Sequence, residues 1–175
     1  MIVAYQGVPG AFGEEAAAQV EGAAELLPCA TFADVVEAVE RGAADRGVLP
    51  VANSLAGDVD GVADLIAASS LRVAASLPVA VRLHLLARPG ASLQSIDTVV
   101  SHPMALRQCS RFLADLDATS VEAANTAVAA RSIADDRTAA LASPGAADLY
   151  GLQPLALDCQ DADDNVTTFA VLARR

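Results

Sequence analysis

The chain has 175 residues, 54% of them hydrophobic, with 22 acidic residues against 11 basic ones and a net charge of −11. Of the hydrophobic residues 40 are Ala, and no window approaches the roughly 18 to 20 strongly apolar residues that a membrane span requires. With acidity of this size, neither a membrane nor a nucleic-acid backbone is an expected partner, and a single domain or two small lobes fit the length.

Every basic residue is Arg, so chemistry that needs a lysine is excluded: Schiff bases, pyridoxal phosphate and the Walker P-loop. Cys29, Cys109 and Cys159 are odd in number, widely spaced and form no C-x-x-C, which argues for small buried side chains and against a disulfide framework or a zinc site. No metal is expected. The chain opens directly on the apolar Ile2-Val3-Ala4-Tyr5 without a basic segment and a longer apolar run, so the expected compartment is the cytoplasm.

In chain order, Ile2 to Tyr5 reads as a buried strand, Gly7 to Gly10 as a turn, and Gly13 to Val20 as an Ala-rich helix with Glu14 and Glu15 in its first turn. Thr31 caps a second helix, with Asp34 three residues on, Val35, Val36 and Val39 on one face, and Gly42 as its stop. Gly47 to Val51 is a strand, and Val62, Leu65 and Ile66 mark a helix. Two strands are expected at Leu71 to Ala75 and Val79 to Leu86, and another at Ile96 to Val100. Ser101-His102-Pro103 opens a helix running to about Leu116, and Asn125 caps the next. Ala139 to Leu141, Ala146 to Tyr150 and Val166 to Ala173 follow as strand, short helix and strand.

Alternating strands and helices predict an α/β fold with a parallel or mixed sheet. Ala43-Ala44-Asp45-Arg46 and Ala134-Asp135-Asp136-Arg137 echo each other, each between a helix and a strand, which predicts two similar lobes. The expected lobes are 1–77 with 170–175, and 78–169, with a ligand cleft between them. Three turns beyond strand ends supply hydroxyls, an amide and main-chain donors suited to a small anion: Tyr5 to Phe12, Pro50 to Ser54, and Ser101 to Pro103.

These residues also carry a resemblance. Tyr5-Gln6-Gly7, Gly10-Ala11-Phe12, Gly47 to Val51 with Asn53-Ser54, Ser101-His102-Pro103, Gln108-Cys109, Leu149 to Leu152, and Asn165-Val166-Thr167-Thr168-Phe169 resemble, in order and spacing, the prephenate dehydratases. The resemblance implies two lobes similar to type II periplasmic binding proteins, with the active site in the inter-lobe cleft. It implies conversion of prephenate to phenylpyruvate in phenylalanine biosynthesis, with loss of CO2 and water and no cofactor. By the same carry-over Thr167 is the proton donor to the leaving hydroxyl. Asn53, Ser54, Ser101, Gln108, Thr168, Phe169, Gly10, Ala11 and Phe12 are substrate-binding positions. A homodimer or homotetramer is implied as well, and the phenylalanine-sensing ACT domain into which the family often continues is expected to be absent from these residues.

The chain departs from the family pattern at four positions. The pattern has Arg where this chain has Thr168, Glu at Ala52, Gln at Met104 and usually Ser at Gly13. The lost Arg matters most, because a charge-assisted contact to a carboxylate contributes on the order of 1.5 to 3 kcal/mol. Arg82, Arg88 and Arg107 are the candidate replacements. Two other readings share the fold or the cleft: an arogenate dehydratase or non-aromatising prephenate decarboxylase, and a catalytically inactive module that binds a small anion.

Overall fold

A computed structural model describes all 175 residues and divides them into two compact units. The first holds Met1–Val8, Phe12–Val81 and Asp164–Arg175; the second holds Pro9–Ala11 and Arg82–Asp163.

In the first unit the elements are β1 (Ile2–Gln6), α1 (Phe12–Ala18), β2 (Glu25–Cys29), α2 (Phe32–Glu40), β3 (Arg46–Asn53), β4 (Gly57–Asp58), α3 (Val62–Ala68), β5 (Arg72–Ala80) and the returning β11 (Val166–Ala173). Their sheet has the order β2-β1-β3-β11-β5, with β4 paired to β3. β1, β2 and β3 are parallel, whereas β11 runs antiparallel to both β3 and β5. Strand alternation sends Val3, Tyr5, Val48, Phe169 and Val171 to one face, against Ala16 and Ala17 of α1. Ala4, Leu49, Ala170 and Leu172 line the other, against Val35 and Val39 of α2.

The expected capping box of α2 is present: Asp34 N donates to Thr31 Oγ1 and Thr31 N donates to Asp34 Oδ2. Gly47 sits where α2 crosses β3, and a Cβ there would lie 2.8 Å from Val35 Cγ1 and 3.0 Å from Val39 Cγ2. Gly47→Ala therefore overpacks this contact and is expected to cost about 1 to 3 kcal/mol, read as a lower urea midpoint at unchanged m.

The second unit contains β6 (His84–Ala87), a 3-10 turn (Leu93–Ser95), β7 (Thr98–Ser101), α4 (Pro103–Gln108), α5 (Ser110–Ala114), β8 (Thr119–Glu122), α6 (Thr126–Arg131), β9 (Thr138–Ala142), α7 (Pro144–Tyr150) and β10 (Gln153–Ala156). Its sheet order is β10-β6-β9-β7-β8. This repeats the first unit strand for strand: a parallel trio with its first strand in the middle (β8-β7-β9, as β2-β1-β3), then two antiparallel strands outside the third. The sequence echo falls at equivalent joints, between α2 and β3 and between α6 and β9. The two similar lobes and the mixed α/β class are as the sequence implies.

Besides β4, β8 and β10, which were not expected from the sequence, four details differ from expectation. The strands expected at Leu71–Ala75 and Val79–Leu86 are instead β5 and β6, because Pro78 lies on an edge strand where its missing N–H costs no ladder bond. β5 then pairs with β11 as far as Val166↔Ala80, so the crossings fall after Val81 and Asp163, later than 77/78 and earlier than 169/170. The helix expected to reach Leu116 breaks at Cys109, whose backbone (φ −114°, ψ 24°) ends α4 and starts α5. β2 is an edge strand whose Pro28 and patchy burial hide it from a periodicity reading.

Candidate active site

The sequence motifs of the first unit converge where β3 and β11 end side by side. Their register places Thr167 directly opposite Asn53 and Thr168 opposite Ala52, and then slips between Thr168 and Phe169. Asn53 Oδ1 accepts the N–H groups of Leu55 and Ala56, each at 3.0 Å. That pair of donors settles which end of the amide is which, so Nδ2 faces β11. It donates to Asn165 Oδ1 at 2.8 Å and to Thr167 Oγ1 at 3.0 Å, with Val166 O further off at 3.3 Å.

The consequence for Thr167 follows from the hydroxyl's inventory of one donor and two acceptor positions. Asn53 occupies an acceptor position, and the Thr167 proton has no acceptor within the protein. The side chain is half-buried at a strand end. A hydroxyl held in this way keeps its proton uncommitted, and an N–H at its oxygen is the arrangement that stabilises negative charge there.

Ser54 acts on the chain itself. Its Oγ donates to Asp164 O at 2.8 Å and accepts Val166 N at 2.9 Å, and its own N–H donates to Val166 O at 2.9 Å. These bonds fix residues 164–166, and thereby the approach of Thr167. Phe169 is 3% exposed and packs with Val3, Tyr5 and Val48, so it is a core residue here rather than a binding surface. Successive residues of a strand face opposite ways, so Thr168 does not share the Thr167 face and is too short to reach around the sheet.

In the second unit, Ser101 is wholly buried and donates to Leu141 O at 2.6 Å, which ties β7 to β9 and corrects its expected place among substrate contacts. Gln108 is half-buried, and its carbonyl accepts Asp161 N at 2.7 Å. Asp161 in turn accepts Ser110 Oγ at 2.7 Å and Arg111 N at 3.1 Å. Burial opposes ionisation of Asp161, but these bonds and the Arg111 charge hold its carboxyl below the usual range. Gly10 lies in the left-handed region (φ +87°), its carbonyl accepts Ser143 Oγ at 2.7 Å, and a Cβ would meet Tyr150 at 3.3 Å; Ala11 beside it is half-buried. Phe12 starts α1 of the first unit and packs against the Tyr5 cluster.

Main-chain donors just beyond two of the expected turns are committed within the protein. Leu55 N and Ala56 N serve Asn53, and Met104 N donates to His102 Nδ1 at 3.1 Å. The four departures also acquire a geometry. Ala52 and Thr168 are cross-strand partners, so the lost Glu and the lost Arg are the two halves of one facing pair. At Gly13 a Cβ would lie 2.9 Å from Gln6 O, a backbone approach that leaves no room for Ser. Of the candidate cations, Arg88 pairs with Asp136 at 3.4 Å and Arg82 lies 3.8 Å from Asp158 and 3.9 Å from Asp163. Arg107 has no carboxylate partner; its one polar contact is with Met104 Sδ, at 3.8 Å.

Burial, aided by neighbouring charges, pushes the Cys109 thiol up to about 12, and burial pushes Cys159 up to about 11, so neither is a thiolate near neutral pH. His102 is the N-cap of α4, and burial, followed by the Arg107 charge, lowers its pKa from 6.5. A depressed histidine pKa favours the neutral form in the folded state. Its contribution is therefore complete above the unfolded value of 6.5 and is lost as pH falls through the lower folded one. His102→Asn keeps a capping acceptor without this titration, so its urea midpoint should fall less than wild type's on acidification below that value, whereas His102→Ala should lose about 0.5 to 2 kcal/mol at neutral pH.

Asn165 is the residue that sequence reasoning passed over. It appears in the motif, yet only the tertiary contact gives it a role, and its two-residue spacing from Thr167 was the available signal.

Residues 3–175 match the family model described as prephenate dehydratase. Among curated relatives, an arogenate dehydratase/prephenate dehydratase of Arabidopsis thaliana is 43% identical over 98% of this chain, which spans 46% of that protein's length. Two solved structures superpose over the whole chain with TM-scores of 0.92: one described as a novel type of quorum quenching acylase (34% identical, 64% of that chain covered), and the prephenate dehydratase of Arthrobacter aurescens in complex with L-Phe (32% identical, 61% covered). The methionine binding protein MetQ shares the fold at 12% identity and a TM-score of 0.52, over all of this chain and 83% of its own. The Arabidopsis relative is chloroplastic, which overturns the cytoplasmic placement expected from the sequence. The folded residues themselves carry no feature that reads out a compartment.

Proposed function

The chain belongs to the prephenate dehydratase family, and on that premise we propose that it catalyses the decarboxylating dehydration of prephenate to phenylpyruvate. The observation that carries this reading is the Thr167 hydroxyl, held through its oxygen by Asn53 at 3.0 Å while its proton has no protein acceptor. As the bond to the ring carboxylate breaks, its electron pair enters the ring and expels the ring hydroxyl. Thr167 supplies the proton that makes this leaving group water, Asn53 stabilises the resulting charge on Oγ1, and solvent returns the proton. Each turnover therefore releases CO2 and water and takes up one proton.

A homodimer or homotetramer is the assembly proposed, to be read by light scattering on a sizing column. The test of activity is incubation of purified protein with prephenate near neutral pH, following phenylpyruvate and CO2 against an enzyme-free control for spontaneous decay.

The second reading is arogenate dehydratase, favoured by the identity to plant enzymes of that name, 43% to 45% for several of them. Incubation with arogenate decides it, because the product is then phenylalanine. Absence of either aromatic product would sink both readings and leave the anion-binding module.

A further inference from the structure

Asn165 is 1% exposed, its Oδ1 accepts Asn53 Nδ2 at 2.8 Å, and its own Nδ2 is buried without any partner. Its backbone is held separately, with Asn165 O accepting Val81 N at 2.8 Å. The side chain is therefore not needed to fasten this segment, and burying an unpaired amide donor is unfavourable. Flipping the Asn165 amide offers no relief. It would set N–H against N–H, because Asn53 Oδ1 is already committed to Leu55 N and Ala56 N.

We infer that Asn165 is a positioning residue of the reaction: it holds the Asn53 carboxamide in the orientation that donates to Thr167 Oγ1, and it leaves its own donor unsatisfied to do so. Asn53 Nδ2 has two hydrogens, and Asn165 Oδ1 and Thr167 Oγ1 are its two shortest contacts. Without the Asn165 acceptor, that amide can turn one hydrogen fully onto Val166 O, 3.3 Å away, and the bond to Thr167 Oγ1 weakens. This inference rests on the proposed role of Thr167.

Three proteins test it: wild type, Asn165→Leu, which removes the acceptor at similar volume, and Asn165→Asp, which keeps it. Asn165→Leu is expected to lower kcat by about tenfold to hundredfold, with KM within about threefold, since the lost interaction is one made to the transition state. Its melting temperature should hold or rise, because the orphaned donor is gone. Asn165→Asp should retain kcat at low pH, where its buried carboxyl is neutral. It should lose kcat as pH rises and the carboxylate opposes charge on Oγ1, a titration the wild type lacks. A kcat within twofold of wild type in Asn165→Leu, or a loss seen only in KM, overturns the inference. Should Asn165→Leu not fold, the pH profile of Asn165→Asp decides, and an unchanged profile overturns it.

Hydrogen exchange at the Asn53 side-chain amide, followed by NMR, separates this inference from the functional reading. If wild type converts neither prephenate nor arogenate, the functional reading has failed. The Asn53 amide should still exchange faster in Asn165→Leu than in wild type or Asn165→Asp, and equal exchange in all three removes the positioning link.

Discussion

Thr167→Ala is expected to lower kcat on prephenate by about a hundredfold to ten-thousandfold, the range over which a positioned proton donor contributes, while leaving the protein folded. The effect is large because the neighbouring exchangeable protons are committed or belong to weakly acidic amides: Asn53 Nδ2 donates to Asn165 and Thr167, and Ser54 Oγ donates to Asp164 O. Stability should change little, because Asn53 keeps Asn165 as a partner. One lost neutral hydrogen bond is worth about 1 kcal/mol, or roughly 2 to 4 °C in a chain of this size. Thr167→Ser keeps the hydroxyl and should recover most of the rate, the more flexible rotamer accounting for the remainder. Phenylpyruvate formation measured for wild type and both variants checks this. A fully active Thr167→Ala would remove Thr167 from the mechanism.

Restoring the charge at the next residue should act on KM instead. Thr168→Arg is expected to lower KM for prephenate by about tenfold to hundredfold, the equivalent of one charge-assisted contact to a carboxylate. The long side chain matters here: residue 168 faces away from Thr167, and a guanidinium reaches around a strand end where a threonine does not. Thr168 faces Ala52 across the ladder, and Ala52 faces Asp58, so the three positions form one row. A new Arg alone is drawn along that row toward Asp58, an exposed and therefore screened carboxylate. Ala52→Glu together with Thr168→Arg rebuilds the facing pair and should lower KM further than Thr168→Arg alone. If Thr168→Arg leaves KM unchanged, the facing pair is dispensable and the substrate carboxylate is held by other contacts.

Much of this architecture was legible because the repeat that builds it is local. Strand and helix periodicity follows from backbone geometry a few residues at a time, and the echo of Asp45-Arg46 in Asp136-Arg137 marks the same joint in each unit. Edge strands were harder to read because their exposure erases the alternation that identifies a strand: β2, which carries Pro28, was not expected, and Pro78 interrupted the reading of β5. The thiols of Cys109 and Cys159 were recognisable as inert, since a cysteine with no specified basic neighbour is held protonated by burial.

The site divides along the same line. The sequence by itself determined the family, singled out Thr167 and Asn53 as candidate site residues and marked the missing charge at 168, because each is a residue type at a recognisable place in a motif. Only the tertiary structure decided what those residues do to one another. It withdrew Phe169 and Ser101 into the interior, turned Ser54 into a tie for the segment before β11, and made Ala52 and Thr168 two halves of one pair. It also brought Asn165 to Asn53 across 112 residues of chain. The physical reason is that a hydrogen bond or a cross-strand contact depends on register and on which face a side chain takes. A single slip between Thr168 and Phe169 is enough to reassign them, and no local pattern records it.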